Sequence, residues 1–304
     1  MSENKRKHHY VWRRYLGAWS LDDKIWASRS GSIIRTNLMN VGQERDFYKL
    51  RSLTPTDVHW LTTLLSQQAP HLREGSSQLL SLFRMACSVA ELVPPPGIDA
   101  DAFRAEQRKV LHNTEEELFS RTETAGDALL GRLLEGDDSV LKTHRLEFLL
   151  FACSQQFRTK RQTRRVKAVL GPALAPFGVD AENCWPVLRH AFSDATAISL
   201  DADPGVTLRL LKNSTGIPFI TSDQPVINLQ ADPSPSMTPP KHVELYYPIS
   251  PTLAVVVADT RTSVPDALES GDVLRLNRSM TTHSDEWLFA ESKASLAGSA
   301  NNAG

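Results

Sequence analysis

Cysteine is scarce in this sequence: Cys87, Cys153 and Cys184 are the only three in 304 residues, and none belongs to a C-x-x-C pair. An odd count at such wide spacing supports neither a disulfide framework nor a cysteine-built zinc site, so each thiol reads as a small hydrophobe. Long hydrophobic runs are lacking too. None approaches the roughly 18 apolar residues of a bilayer span, and no apolar stretch follows the charged start MSENKRKHHY, so the expectation is a soluble, cytoplasmic protein without a membrane partner. Neither sign of charge dominates. The 34 Lys and Arg face 35 Asp and Glu, and no global field marks a nucleic-acid binder. The sequence contains no G-x-x-x-x-G-K-[ST], G-x-G-x-x-G, H-E-x-x-H or G-x-S-x-G, which removes support for phosphate-loop, Rossmann, zincin and nucleophile-elbow readings.

What is present is an ordinary globular composition, 41% hydrophobic and 23% charged, which excludes collagen-like, coiled-coil and wholly disordered chains. The pattern predicts an α+β protein, a single domain over 1–292. Its parts are an N-terminal β-containing segment (1–50), a helical core (54–200) and a C-terminal β/α part (201–292). In the first part a hairpin pairs 19–25 with 26–35, turning at Asp22-Asp23 or at Ser30-Gly31-Ser32. Thr54-Pro55-Thr56-Asp57 is a capped helix start. Helices are expected to follow over 72–92, 101–134 and, without interruption, 139–170. Short strands are expected at 206–211, 218–221, 243–247, 253–258 and 286–290, with a last helix near 265–280. Residues 231–240, with four prolines, read as a mobile loop, and 293–304 as a disordered tail.

Charge is unevenly spread. Six bases and no acid lie between 158 and 167, among them Arg158, Arg161 and Arg165, which follow one another on a helix face. Residues 99–138 carry a net charge of −6. Either the basic stripe pairs with the acidic helix, or it binds phosphate groups of a nucleic acid or another ligand.

Four separated groups have the chemistry of a site. His8-His9 follows Lys7; neutral imidazole serves as a metal ligand or general base, or the pair is structural. Glu116 and Glu123 are two helical turns apart, on one face. Gln155 and Arg158 share a helix face, where a buried guanidinium forks onto a carboxylate or phosphate. The carboxylate is either a structural partner such as Glu123 or one whose first duty is a metal ion. Thr221-Ser222-Asp223-Gln224-Pro225 ends an apolar strand, and Asp223 either ligates and orients or caps its own turn ahead of Pro225.

The order and spacing of Lys7-His8-His9-Tyr10-Val11, Glu116 to Glu123, Gln155-x-x-Arg158-Thr159 and Thr221-Ser222-Asp223-x-Pro225 resemble the bacterial family catalogued as domain of unknown function 4238, over residues 5–291. Asn277 also matches a position that recurs there. The resemblance implies a shared fold and a polar centre in which His8 or His9, Glu123, Gln155, Arg158 and Asp223 converge; Lys7, Arg161, Arg165, Ser222 and Asn277 are candidate substrate-binding groups. It implies no activity. One departure is Trp12, where the family typically has proline, at the bend that aims the histidines. Two functions fit such a centre. In the first, Asp223, Glu123 and His9 hold Mg or Mn, and Arg158 stabilises developing charge in a metal-assisted phosphodiester hydrolase, a nuclease-like effector in bacterial conflict. In the second, the same residues are the structural network of a non-catalytic binding or interaction module.

Overall fold

A computed structural model describes residues 6–234, 242–259 and 261–300. The N-terminal part consists of β1 (Lys7–His9), α1 (Arg13–Leu16), β2 (Lys24–Arg29), β3 (Ser32–Asn37) and β4 (Gln43–Arg45). Of the two turns expected for the hairpin, Ser30-Gly31 closes it, with φ of 50° and 79°. Positive φ at both positions matches the twist of the two strands. Asp22-Asp23 makes a smaller turn just before it, closed by a bridge between Leu21 and Lys24.

Helix α2 (Pro55–Ser66) starts as its sequence dictates: Thr54 and Asp57 cap each other's backbone N–H groups, and Pro55 needs no N–H partner there. Then come α3 (Pro70–Glu91) and the 35-residue α4 (Ala100–Leu134). The uninterrupted helix expected over 139–170 is three helices instead: α5 (Val140–Thr143), α6 (Arg145–Phe157) and α7 (Lys160–Leu174). The second break has a local cause. Thr159 is extended (φ −76°, ψ 162°), and its side chain accepts the Gln162 N–H, so it ends one helix and starts another. Arg158 is thereby left at the C-terminal end of α6, where its side chain can turn inward. Helix α8 (Ala181–Ala202) completes the helical part.

The remainder comprises β5 (Thr207–Lys212), β6 (Thr221–Ser222), β7 (Ile227–Asn228), β8 (Glu244–Pro248), β9 (Leu253–Ala258), α9 (Ser270–His283), β10 (Leu288–Ala290) and α10 (Lys293–Ala300). The last helix corrects the expected disordered tail. Leu296 is buried with β10 and α9 in one apolar cluster, which orders the segment. Residues 301–304, and 235–240 of the expected proline-rich loop, lie outside the described residues.

All strand pairs are antiparallel. They form a two-stranded sheet β1-β4, a four-stranded sheet β3-β2-β10-β6 and another in the order β5-β9-β8-β7. Among the described residues helix takes 55% and strand 15%, in separate small sheets, which makes the fold α+β. The second sheet joins the N-terminal hairpin to C-terminal strands. One core cluster unites the N-terminal segment, α4, α6 and β8-β9 residues; a second lies among α2, α3 and α8; a third lies between the C-terminal sheets and α9. Helices α4 and α6 touch where Gly126 faces the Phe151 ring, a contact with no room for a Cβ atom. That close approach brings Glu123 and Arg158 together.

Candidate functional site

Arg158 is 1% exposed, and each nitrogen of its guanidinium has a partner. Nε donates to the Tyr48 hydroxyl at 3.1 Å, Nη2 to the His9 carbonyl at 2.6 Å, and Nη1 to the Glu123 carboxylate. The Tyr48 hydroxyl in turn donates to the Arg158 carbonyl at 3.2 Å. The guanidinium lies over the Phe119 ring, 4.5 Å from its centroid. Burial works against the charge, but Tyr48, Glu123 and Glu116 outweigh it and hold the pKa above the usual arginine value. Strand β1, α4, the end of α6 and the loop after β4 are thus fastened at one point.

His8 is buried and stacked on Tyr48 at 5.4 Å. Its Nδ1 accepts the Tyr48 backbone N–H at 2.7 Å, so any ring proton sits on Nε2. His9, on the other face of β1, is different. Its Nδ1 is buried with no hydrogen-bond partner among the described residues. Burial, followed by the neighbouring Arg13 and Arg158 charges, pushes its pKa down to about 4, so the ring is neutral at pH 7. It lines a cleft of about 950 Å³ together with Lys7, Trp12, Arg13, Glu116 and Glu123. Trp12 stands where the resemblance led to proline being expected. Its φ of −62° is a value proline also adopts, and its ring packs edge-on against Phe151.

Asp223 does not join this centre through its carboxylate. It is fully buried and accepts three backbone N–H groups, from Asp285 (2.8 Å), Glu286 (2.7 Å) and Trp287 (3.1 Å). Its own N–H donates to the Trp287 carbonyl. Burial pushes its pKa up to about 6 against the pull of those N–H groups. The expected cap of its own turn is made instead by Ser222, whose Oγ accepts the Gln224 N–H. Asn277 binds the Ile220 N–H and the Pro218 carbonyl, and so holds the strand that delivers this turn. Neither Ser222 nor Asn277 lines the cleft. Gln155 is also buried outside the cleft lining, its Nε2 without a partner among the described residues.

The residues expected to hold Mg or Mn, Asp223, Glu123 and His9, have other partners in the structure. Three N–H groups fill the Asp223 carboxylate and Arg158 engages Glu123; among the described residues no group of three His, Cys, Asp or Glu is placed to hold a metal ion. The basic stripe is also internally engaged, with the acidic helix through Arg158 and Glu123 and otherwise with groups elsewhere in the fold. Lys160 pairs with Glu44 and Glu286, Arg164 with Asp285 and Glu286, and Lys167 with Glu182. Arg161 donates to the carbonyls of Thr282, Ser284 and Pro233. Arg165 makes no ion pair among the described residues, and neither it nor Arg161 lines the cleft.

Two positioning residues were readable in the sequence but went unassigned. Tyr48 stands beside Phe47 at the end of the N-terminal part. Gln224 lies inside the Ser-Asp-x-Pro segment; it takes the Thr159 hydroxyl and donates to the Gln156 and Val226 carbonyls, which joins that segment to the α6–α7 break.

The structure is therefore that of an α+β protein with a buried arginine centre beside a polar cleft. The family model described as protein of unknown function (DUF4238) matches residues 7–171 and 189–294, and the chain belongs to that family. No curated protein and no solved structure matches it. Among the described residues no helix is long and apolar enough to cross a membrane.

Proposed function

We propose that this protein is a non-catalytic binding module, in which the arginine centre fixes one wall of the cleft and the cleft takes a polar ligand. The observation that supports it is the burial and engagement of Arg158: a guanidinium that clamps a phosphate must be reachable, and this one is 1% exposed with each nitrogen donating to Tyr48, Glu123 or the His9 carbonyl. Asp223 is likewise occupied, as the buried acceptor that orders the loop before β10. Polar networks of this kind specify one packing and require no substrate.

A second reading, phosphodiester hydrolysis in the manner of a nuclease, rests on His9. A neutral imidazole that lines a cleft together with Glu123 and Lys7 is a candidate general base. One gel separates the two. The protein and its His9→Ala and Asp223→Ala variants are incubated with labelled RNA, single-stranded DNA and duplex DNA, in Mg, Mn or EDTA. The binding reading expects no cleavage under any condition. Cleavage that His9→Ala abolishes overturns it in favour of hydrolysis, and cleavage that requires metal and Asp223 restores the metal-assisted scheme.

A further inference from the structure

Helix α3 packs its inner face, Leu80, Phe83, Ala86 and Cys87, into the second core cluster with α2 and α8. Its outer face is not purely polar. Met85 and Leu92, two helical turns apart and so on one side of the helix, are 61% and 56% exposed. Val93, the next residue, is 82% exposed. With Ile98 they make four exposed large apolar side chains between residues 85 and 98, a density that no other stretch of this length reaches among the described residues. Single apolar side chains on a surface need no explanation, whereas several together mark a contact surface.

Beside this face α2 and α3 form an open groove of about 910 Å³, lined by Leu53, Val58, Arg84, Met85 and Glu91 among others. The cleft near Arg158 has no lining residue from α2 or α3, so the groove is a separate feature, independent of what the cleft binds. Arg84 and Glu91 are exposed, and neither makes an ion pair among the described residues. Both belong to the exposed stripe Ser81, Arg84, Met85, Ser88, Glu91 and Leu92, whose spacing of three and four residues follows one helix face. Ser88 is its small central member, with a basic residue on one side and an acidic one on the other.

That order makes the stripe its own complement. In a twofold contact residue i of one copy meets residue j of the other, and j meets i. With two α3 helices antiparallel about an axis at Ser88, Arg84 lies about 6 Å along the helix from that axis. The partner's Glu91 lies about 4.5 Å from the axis on the same side, within reach of the arginine. Met85 meets the partner's Leu92 in the same way. Each contact occurs twice, and the small Ser88 side chains let the helices approach to about 8–10 Å. A parallel arrangement would instead set Arg84 beside Arg84 and Glu91 beside Glu91. We propose that this face of α3, with the α2–α3 groove, is the interface of a homodimer, and that a second copy of this chain occupies the groove.

Sedimentation equilibrium of the full chain, from about 1 μM to about 200 μM, tests it. The expected species at the upper end has twice the chain mass. Arg84→Glu and Glu91→Arg, taken singly, each bring like charges together at two places and should weaken the dimer at least about tenfold. The two substitutions combined restore opposite charges and should return the affinity to within about threefold of the wild type. Ser88→Cys sets two thiols at the axis, and oxidation should link them into a disulfide-bonded dimer that the wild type, with its three cysteines buried, does not form. All three positions are exposed, so circular dichroism of the variants should match the wild type. A chain that remains monomeric at about 200 μM overturns the proposal and leaves the groove to a different protein. A dimer that both single charge reversals leave intact overturns it by placing the interface elsewhere. A dimer that the combined exchange fails to restore overturns it by excluding the antiparallel register.

Discussion

Arg158 and Arg189 invite direct comparison. Both are buried, both lie against the Tyr48 ring, and each faces a glutamate of α4, Glu123 for one and Glu115 for the other, eight residues apart. They differ in how completely they are bonded. Around Arg158 every guanidinium nitrogen donates, two of them to groups brought from the N-terminal part. Around Arg189 the ion pair is close but misaligned, and four of its polar atoms have no hydrogen-bond partner among the described residues. Burial and ion pairing are thus shared, and hydrogen-bond completeness separates the two. The lesson is physical: desolvation is repaid by aligned partners, and a charge pair that stops short of alignment remains costly.

The largest effect expected from breaking this comparison belongs to Arg158→Ala. It strands Glu123, the Tyr48 hydroxyl and the His9 carbonyl together and should lower stability by about 3–5 kcal/mol in urea denaturation. A loss below about 1 kcal/mol would place Arg158 in the same class as Arg189. Asp223 offers a buried carboxylate that accepts three backbone N–H groups but has no ion-pair partner among the described residues. Its folded pKa of about 6 exceeds the ordinary aspartate value, so the folded state keeps a proton that the unfolded state has released. Stability from this group is present below about pH 4 and is lost as pH rises to about 6, by about 2–3 kcal/mol. Subtracting the pH profile of Asp223→Asn from that of the wild type should isolate this slope; parallel profiles would refute it.

A double substitution tests the other side. Glu115→Gln with Arg189→Met removes a pair whose hydrogen bonds are unmade, and stability should change by less than about 1 kcal/mol. A loss as large as that of Arg158→Ala would mean that the two arginines do the same work. The smallest change is expected at Arg14, whose ion pair with Asp127 is exposed on both sides; Arg14→Ala should shift stability by no more than about 0.5 kcal/mol.

Local signals in the sequence were read correctly where the cause was local. The Thr54 to Asp57 cap and the apolar run of β9 depend on neighbours within a few residues, and both elements appear at the expected places. The break at Arg158-Thr159 was not legible, because the apolar pattern continues through it and the reward for interrupting the helix lies on β1, 149 residues away. The partners of Asp223 were not legible for the same reason. Its partners are 62 to 64 residues distant, whereas its immediate neighbours suggested a self-capped turn. The partners of the basic stripe were not legible because Asp285 and Glu286 approach it only through the tertiary fold. The family resemblance drew attention to Arg158, Glu123 and Asp223. It carried no information on Glu115 and Arg189, which stand in no recognisable spacing.

The sheet that joins β2 to β10 has a consequence for how a cell makes this molecule. Ala27 pairs with Phe289, about 260 residues later. At translation rates of roughly 5–20 residues per second, the hairpin emerges from the ribosome some 10–50 seconds before the strand that covers its edge exists. Throughout that interval β2 offers an open row of backbone groups to any passing strand, its own or a neighbour's. Nascent chains on one message are therefore the setting in which mispairing would begin, and arrest of synthesis ahead of residue 288 would leave that edge exposed.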